Sequence, residues 1–503
     1  MQKEGLVKIR KLLLISPPAF TFRAPRDVNP LPPMGLGYLA SVAEGLGVEV
    51  KILDCLMRGW GHEEEVNEQL IRVGLSDRDI EGQIRDFEPD MVGINCQFSR
   101  QYKIYHSLFA LVKKINPEII TIAGGPHTTV CPEEVLGDPN CDLIISGEGE
   151  EAFKDLIIAL NTGSDISFID GLGWKSAGQL HLNPKQNLIA DLDSIAFPAY
   201  HLMDLDQYFG LTESHGPRHK KRFAPIITSR GCPAQCSFCS AHRVWGRNYR
   251  VRSVDNVLKE MRMLKDVYGI EEIMFEDDNV TANPKRAKDL FQRMVEENFS
   301  FVWDTPNGVG VWSMDTEMID LIKESGCVNL NFPVESGSQR VLADIIKKPL
   351  KLAKVKELIN YCRKIGLNTG MFLVVGMPGE KIGDIWKSFH FAAECRCYSP
   401  HISVATPYPG SKLFDDCIKN NYFSRSFSLD DLFIKSFTIK TPDWDEDILR
   451  RTIFKGYLFL KLSEIIRDPL QFLKWALRKI KKPSNFIGQV ERIICKNRNK
   501  TKY

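Results

Sequence analysis

The stretch "APIITSRGCPAQCSFCSAHRVWG", residues 224–246, joins a short apolar run to three cysteines, Cys232, Cys236 and Cys239. An apolar run that ends in a polar turn reads as a buried strand whose C-terminal end opens onto the loop. The pattern recurs in "EEIMFEDD" (271–278), "FVWDTPNG" (301–308), "CVNLNFPVES" (327–336), "LNTGMFLVVGMPG" (367–379) and "HISVATPYPG" (401–410), with helical patterns between. These strand–helix units predict an incomplete, barrel-like parallel sheet over 224–415, with its active site at the C-terminal strand ends.

Upstream, the runs "KLLLIS" (11–16), "VEVKILD" (48–54), "DMVGINC" (90–96), "EIITIAGG" (118–125) and "CDLIISGE" (141–148) also alternate with helical patterns. They predict an N-terminal, doubly wound, Rossmann-like parallel sheet over 1–160, so the whole chain is α/β. Its strand ends, at Ser16, Asn95, Gly124 and Gly147, would form a ligand crevice where glycine lets a ligand approach the backbone. No GxGxxG follows the first strand, which disfavours a nicotinamide cofactor.

Residues 161–223 read as a linker, with a hairpin in "GLGWKSAGQLHLNP" and a proline-interrupted connection after it. The basic stretch "SHGPRHKKRF" within it reads as a solvated loop rather than a metal or phosphate site. Residues 416–503 read as a small helical, basic region, and from Lys461 to Tyr503 twelve Lys or Arg face three Asp or Glu.

The chain has 503 residues, 43% of them hydrophobic, and a formal net charge of +2, so nucleic acid is not an expected partner. Its thirteen cysteines are spread along the chain with no signal-peptide pattern, which points to a reducing, cytoplasmic setting. No apolar run is long enough to span a bilayer.

A structural zinc site wants four ligands, and no second cysteine or histidine pair follows at zinc-finger spacing. A thiol–disulfide enzyme needs only one CxxC. Three thiolates fit a [4Fe–4S] cluster with one iron left open to a ligand that is not protein.

The CxxxCxxC loop, with Phe238 just before its last cysteine, resembles the signature of radical S-adenosylmethionine (SAM) enzymes, whose barrel is a partial (β/α)6 TIM-like one. The resemblance implies that the open iron takes the methionine end of SAM and that one electron then releases a 5′-deoxyadenosyl radical. It places SAM contacts at Phe238, at Glu276 and Asp277 after the second strand, at Glu335 or Ser336 after the fourth, and at Gly376 and Gly379 after the fifth. "FEDD" departs from the glycine-glycine-glutamate motif common at that second strand end.

With "LLLISPP", "PPMGLGYLAS", "GGPH", "GEGE", "FEDDN" and "TPYPGS" in order, residues 8–415 resemble the cobalamin (B12)-binding-domain radical SAM enzymes. That resemblance implies corrin contacts at Ser16, Asn95, Gln97, Ser99, Gly124, Gly125, His127, Gly147 and Glu148. No DxHxxG is present, so the corrin would bind base-off without a protein imidazole; a domain serving only as scaffold is the alternative. Glu148 and Glu150 could equally cap the helix near Glu151.

The expected function is a C-methyltransferase: the adenosyl radical takes a hydrogen atom from an unactivated carbon, methylcobalamin supplies the methyl group, and a second SAM remethylates cobalt. Ring closure, oxidation or carbon–carbon coupling with the same cofactors is an alternative, and a corrin-binding sensor with an inactive barrel is another. A donor such as flavodoxin or ferredoxin would supply electrons. In "SEIIRDPLQFLKWALRKIKKP", Leu470, Leu473, Trp475, Leu477 and Ile480 lie among basic residues, which fits a helix at a membrane surface or one packed on the barrel. The membrane reading would suggest an apolar or lipid-like substrate, such as an isoprenoid or porphyrin.

Overall fold

The computed structural model describes residues 8–23, 26–432, 437–470 and 473. The five upstream runs form β1 (Lys11–Ser16), β2 (Glu49–Asp54), β3 (Met91–Asn95), β4 (Ile120–Gly124) and β5 (Leu143–Ile145). They lie parallel in the order β2-β1-β3-β4-β5.

Both faces of this sheet are covered, which is why its strands read as continuous apolar runs. Leu12 and Leu14 of β1 enter one core with Met34 and Leu36 of helix α1 (Met34–Glu44). Leu13 and Ile15 enter the other with Ile104 and Leu108 of helix α2 (Tyr102–Ile115).

The hairpin between the two sheets is present as β6 (Leu172–Ser176) and β7 (Gln179–Leu182). It does not stand apart as a connection, because β6 pairs antiparallel with β5 and the hairpin extends the first sheet. Its two-residue turn, Ala177 and Gly178, has positive φ at both positions, the geometry whose twist matches paired strands.

The segment that follows touches both sheets' surroundings. Ser41 Oγ donates to Phe197 O (2.6 Å), Tyr200 OH donates to Glu260 Oε1 (2.8 Å) and Tyr208 OH donates to Asp54.

The second sheet orders β8 (Phe223–Ile226), β11 (Glu272–Phe275), β12 (Val302–Asp304), β13 (Cys327–Glu335), β14 (Asn368–Val375) and β15 (His401–Val404) side by side, all parallel. Between β8 and β11, a small antiparallel ribbon of β9 (Ser229–Arg230) and β10 (Arg250–Val251) stands apart. Outward residues such as Ile273, Phe275, Trp303, Phe332 and Leu373 are buried under the helices, and Phe291 stacks on Trp303 at 5.1 Å.

Their inward neighbours differ. Asn329, Asn331 and Pro333 on β13, and Gly370, Phe372 and Val374 on β14, keep partial exposure. A closed eight-stranded barrel fills its interior with side chains; this six-stranded arc leaves its inner wall partly open along β13 and β14.

Four more helices frame the site: α3 (Pro126–Val130), α4 (Glu150–Thr162), α5 (Ala241–Trp245) and α6 (Ile382–Glu394). A long C-terminal helix, α7 (Glu446–Arg467), lies across α6, and the bare Gly456 sits where a Cβ would come within 2.1 Å of the Phe389 ring. Trp475, Leu477 and Ile480 lie outside the described residues. Among the described residues no helix is long and apolar enough to cross a membrane.

Candidate active site

The loop 231–249 between β9 and β10 carries the three cysteines. Gly231 has φ +84°, and a Cβ there would meet Asn248 O at 2.4 Å, so the entry to the loop requires glycine. Cys239 N donates to Cys236 O (3.1 Å), folding the two into one turn. Ser237 fixes that turn from behind: its N donates to Ile346 O (2.9 Å), its Oγ donates to Ile345 O (2.9 Å), and its O accepts from Leu413 N (2.8 Å).

The sulfurs of Cys232, Cys236 and Cys239 lie within electrostatic reach of one another. Burial pushes Cys236 up to about 11 and Cys239 up to about 12, while Cys232 is raised in the same way. Backbone N–H groups oppose burial: Ala241 N lies 3.4 Å from Cys239 Sγ, and Ala234 N serves Cys232. Asn279 adds a buried Nδ2 with no hydrogen-bond partner, on the Cys232 side of the loop. Three converging thiols and a donor in waiting fit a [4Fe–4S] cluster held by three cysteines. Phe238 is half-buried against the main core.

The acidic run after β11 goes three ways. Glu276 faces the barrel interior, where Oε2 accepts from His215 Nδ1 (2.8 Å) and Oε1 is buried without a partner. Asp277 is 2% exposed and accepts from Thr228 Oγ1 (2.8 Å) and Ser229 Oγ (2.5 Å), so it fastens the β8–β9 junction and is not available to SAM. Asp278 lies within electrostatic reach of Cys232 and Cys239, and burial followed by repulsion from Asp277 pushes it up to about 6. Of this acidic run, the carboxylate in reach of the cysteines is therefore Asp278, which the sequence reading misses; the doubled aspartate was the only signal for it.

The other expected SAM contacts divide as well. Glu335, at φ +67°, pairs with Lys348 Nζ (2.8 Å) and lies in reach of Cys236. Ser336 is fully buried: its Oγ accepts from Ser338 N (3.2 Å) and lies 3.4 Å from Ser388 Oγ, turned away from any crevice. Gly376 and Gly379 both have positive φ, and the buried Glu380 carboxylate accepts from Gly376 N (2.8 Å) and Met377 N (3.2 Å) to close their loop. Gly376 faces Leu449 of α7 rather than an opening, whereas Gly379 is exposed.

On the first sheet, Ser16, Asn95 and Gly124 end β1, β3 and β4 in register along one edge, with Gly147 just past β5. Gly125 has φ +108°, and a Cβ there would meet Asn95 Oδ1 and Cys96 O, both at 2.9 Å. Gln97 is exposed beside them. His127 is not at the surface: it is 1% exposed, with Nδ1 3.1 Å from Ser99 Oγ and Nε2 3.1 Å from Glu134 Oε2. Its two nitrogens are satisfied, and Ser99 is occupied with it, so neither is free to meet a corrin.

Glu148 is not available to a corrin either. It is fully buried, accepts from Ile189 N (2.8 Å) and pairs with Arg250 (2.8 Å) and Arg230 (3.4 Å) of the ribbon that carries the cysteine loop. Glu150 opens α4 and pairs with Arg230 (2.5 Å). Helices α3 and α5 pack together, and Val130 and Arg243 both abut Gly410. Helix α3, which follows the strand edge, and helix α5, which follows the cysteines, thus bring the first domain's edge and the cysteine loop side by side.

The stretch "SHGPRHKKRF" is not a solvated loop throughout. Arg218 is 1% exposed at its side chain and enters the barrel, 3.2 Å from Glu272 and 3.4 Å from Asp304. Burial, followed by the neighbouring Glu272 and Glu276 against the pull of Arg218, leaves Asp304 raised to about 7. His219, Glu272 and Asp304 stand close enough to hold a cation, yet the Arg218 guanidinium already supplies that charge. Glu272 Oε1, Glu276 Oε1, Asp304 Oδ1 and Thr305 Oγ1 remain buried without hydrogen-bond partners.

Residues 226–392 match the Radical SAM superfamily and residues 27–157 match the B12 binding domain. The chain is 36% identical to the cytidylyl-2-hydroxyethylphosphonate methyltransferase of Streptomyces wedmorensis, over 87% of each chain. It is 33% identical to an uncharacterized methyltransferase of Pyrococcus horikoshii, over 82% of this chain and 84% of that one. In fold it is similar to the radical SAM methyltransferase TsrM from Kitasatospora setae, solved with cobalamin and a [4Fe–4S] cluster bound, with a TM-score of 0.65 at 17% identity over 83% of this chain and 79% of that one. With a B12-binding sheet, a radical SAM barrel carrying three converging cysteines, and relatives of this likeness over nearly the whole length, the chain belongs to the cobalamin-dependent radical SAM methyltransferase family.

Proposed function

We propose that this protein methylates an unactivated carbon of a polar substrate bound against the open inner wall of the barrel. When bound, the cluster and SAM supply the 5′-deoxyadenosyl radical that removes a substrate hydrogen, and methylcobalamin supplies the methyl group. One SAM leaves as methionine and 5′-deoxyadenosine and a second as S-adenosylhomocysteine, with electrons from a flavodoxin- or ferredoxin-type donor.

The residues take separate roles. Cys232, Cys236 and Cys239 hold the cluster, and Asp278 accepts from the SAM amino group. Ser16, Asn95, Gln97, Gly124, Gly125 and Gly147 line the edge for a corrin bound base-off, since His127 is committed elsewhere. Arg230 and Arg250, anchored on Glu148 and Glu150, keep the cysteine loop fixed against that edge.

The observation that carries the substrate reading is a pair of buried carboxyl oxygens inside the barrel with no hydrogen-bond partner among the described residues, Glu276 Oε1 and Asp304 Oδ1. Buried acceptors without partners are costly, and a ligand bearing hydroxyl or amino donors would satisfy them. An apolar or lipid-like substrate is suggested by the C-terminal segment alone, and this wall weighs against it.

The test is an anaerobic assay of reconstituted enzyme with SAM, methylcobalamin and flavodoxin, offering cytidylyl-2-hydroxyethylphosphonate as a polar candidate and a hopanoid as an apolar one. Equal amounts of 5′-deoxyadenosine and S-adenosylhomocysteine with the polar candidate would support the reading. 5′-Deoxyadenosine without S-adenosylhomocysteine would replace it with ring closure, oxidation or coupling. No SAM cleavage with either would favour a corrin sensor.

A further inference from the structure

We infer that Asn279 is a hydrogen-bond donor to the cysteine sulfur of the cluster at Cys232 and thereby sets the cluster's reduction potential; this rests on the cluster assignment above. Asn279 lies three residues beyond Glu276, on the loop that leaves β11, and is 2% exposed. Its amide orientation is fixed from the oxygen end. Oδ1 accepts from Gly310 N (2.9 Å) and lies 3.2 Å from Thr281 Oγ1, whose hydroxyl can donate to it.

The back of the amide rests on the bare Cα of Gly310. A Cβ there would meet Nδ2 at 2.5 Å and Oδ1 at 2.7 Å, so glycine makes room for this side chain. With Oδ1 committed, Nδ2 must point the other way. It is buried and makes no hydrogen bond of full geometry among the described residues, and the group within reach of its donation is the Cys232 sulfur.

A buried N–H pair left unpaired costs about 1–3 kcal/mol, so its retention calls for an acceptor. A thiol is a poor acceptor and a metal-bound thiolate a much better one. Cluster binding would complete what the protein leaves open. Ala234 N and Ala241 N serve the cysteine sulfurs through the backbone, so Asn279 is the side chain through which this donation can be altered.

The chemistry is one-electron reduction of the cluster, with the electron from the external donor and no bond made or broken in the protein. Reduction adds negative charge to the sulfurs, so a donor stabilises the reduced form and raises the potential.

The experiment is an EPR-monitored redox titration of the reconstituted full-length protein, without SAM, for the wild type, Asn279→Asp and Asn279→Ala. Asn279→Asp keeps the acceptor for Gly310 N and Thr281, so it protects the fold while removing the donor. Asn279→Ala separates donor loss from added charge. Both variants are expected to titrate at a lower potential than the wild type, with resonance Raman Fe–S(Cys) stretches moved to higher frequency. Only loaded molecules give these signals, so partial loading does not mask the result. Wild-type midpoint and Fe–S frequencies in both variants would overturn the inference. Absence of about four iron atoms from the wild type would instead overturn the cluster assignment.

Discussion

Arg250 Nη2 lies 2.8 Å from Glu148 Oε1, joining the strand that leaves the cysteine loop to a fully buried carboxylate of the first domain. Arg230, on the strand that enters the loop, reaches the same carboxylate and Glu150. The cluster loop is therefore fixed at both ends to the domain that binds the corrin.

Removing one partner of a buried ion pair strands the other's charge, which costs about 3–5 kcal/mol. Glu148→Ala should lower the urea midpoint by a corresponding amount. Glu81→Ala, at the exposed pair Glu81–Arg85, should change stability by about 0.5 kcal/mol or less. Equal midpoints for the two variants would remove the anchoring role.

Each of Cys232→Ala, Cys236→Ala and Cys239→Ala should lower iron from about four per chain and abolish 5′-deoxyadenosine formation. Cys327→Ala should keep both, since its buried thiol faces Asn329 O (3.5 Å) within β13. Iron analysis and chromatography of the nucleoside product check this.

Asp278 and Asp277 are adjacent and should behave differently. Asp278→Asn should weaken SAM binding by about tenfold or more, the scale of a charged hydrogen bond, with little loss of stability. Asp277→Asn should lower stability, because Thr228 and Ser229 lose the carboxylate that gathers them. Equilibrium binding of SAM and urea denaturation, run on both variants, separate the two roles.

Asp304 sets a pH dependence. Its carboxyl is raised to about 7 from 3.8, so between these values the folded protein keeps a proton that the unfolded chain has released. Stability should therefore fall as pH rises through that window, and most of the fall should be complete above pH 7. Asp304→Asn should flatten this part of the profile and gain on the wild type above pH 7. Urea midpoints between pH 5 and 8 measure it, and parallel profiles would contradict the assignment.

Helix α7 leaves Phe454, Leu458, Leu462 and Ile466 exposed at helical spacing, continuing to Leu470 and Leu473. An apolar stripe leading into a basic segment fits contact with an anionic membrane surface. The full chain should float with anionic liposomes, and a chain ending after Asp443 should not. If both stay in the soluble fraction, the membrane reading fails.

The parallel strands of the first sheet were legible because each is buried on both faces, and those of the second because each buries its outward face under helices, so both carry apolar residues whatever their neighbours are. The three cysteines were legible because their spacing alone brings them to one turn. The hairpin at Ala177–Gly178 was legible from its turn residues, whereas the sheet it joins was not, since edge pairing depends on which strand happens to be free. The polar residues followed a different rule. "FEDD" could not say which carboxylate turns to the cysteines, because that depends on where Thr228, Ser229 and His215 arrive from elsewhere in the chain. Arg218 looked solvated, and His127 and Glu148 looked available to a ligand, for the same reason. Apolar burial is decided by a residue's own hydration and is written locally; the burial of a charge is decided by a distant partner, and only the tertiary structure supplies one.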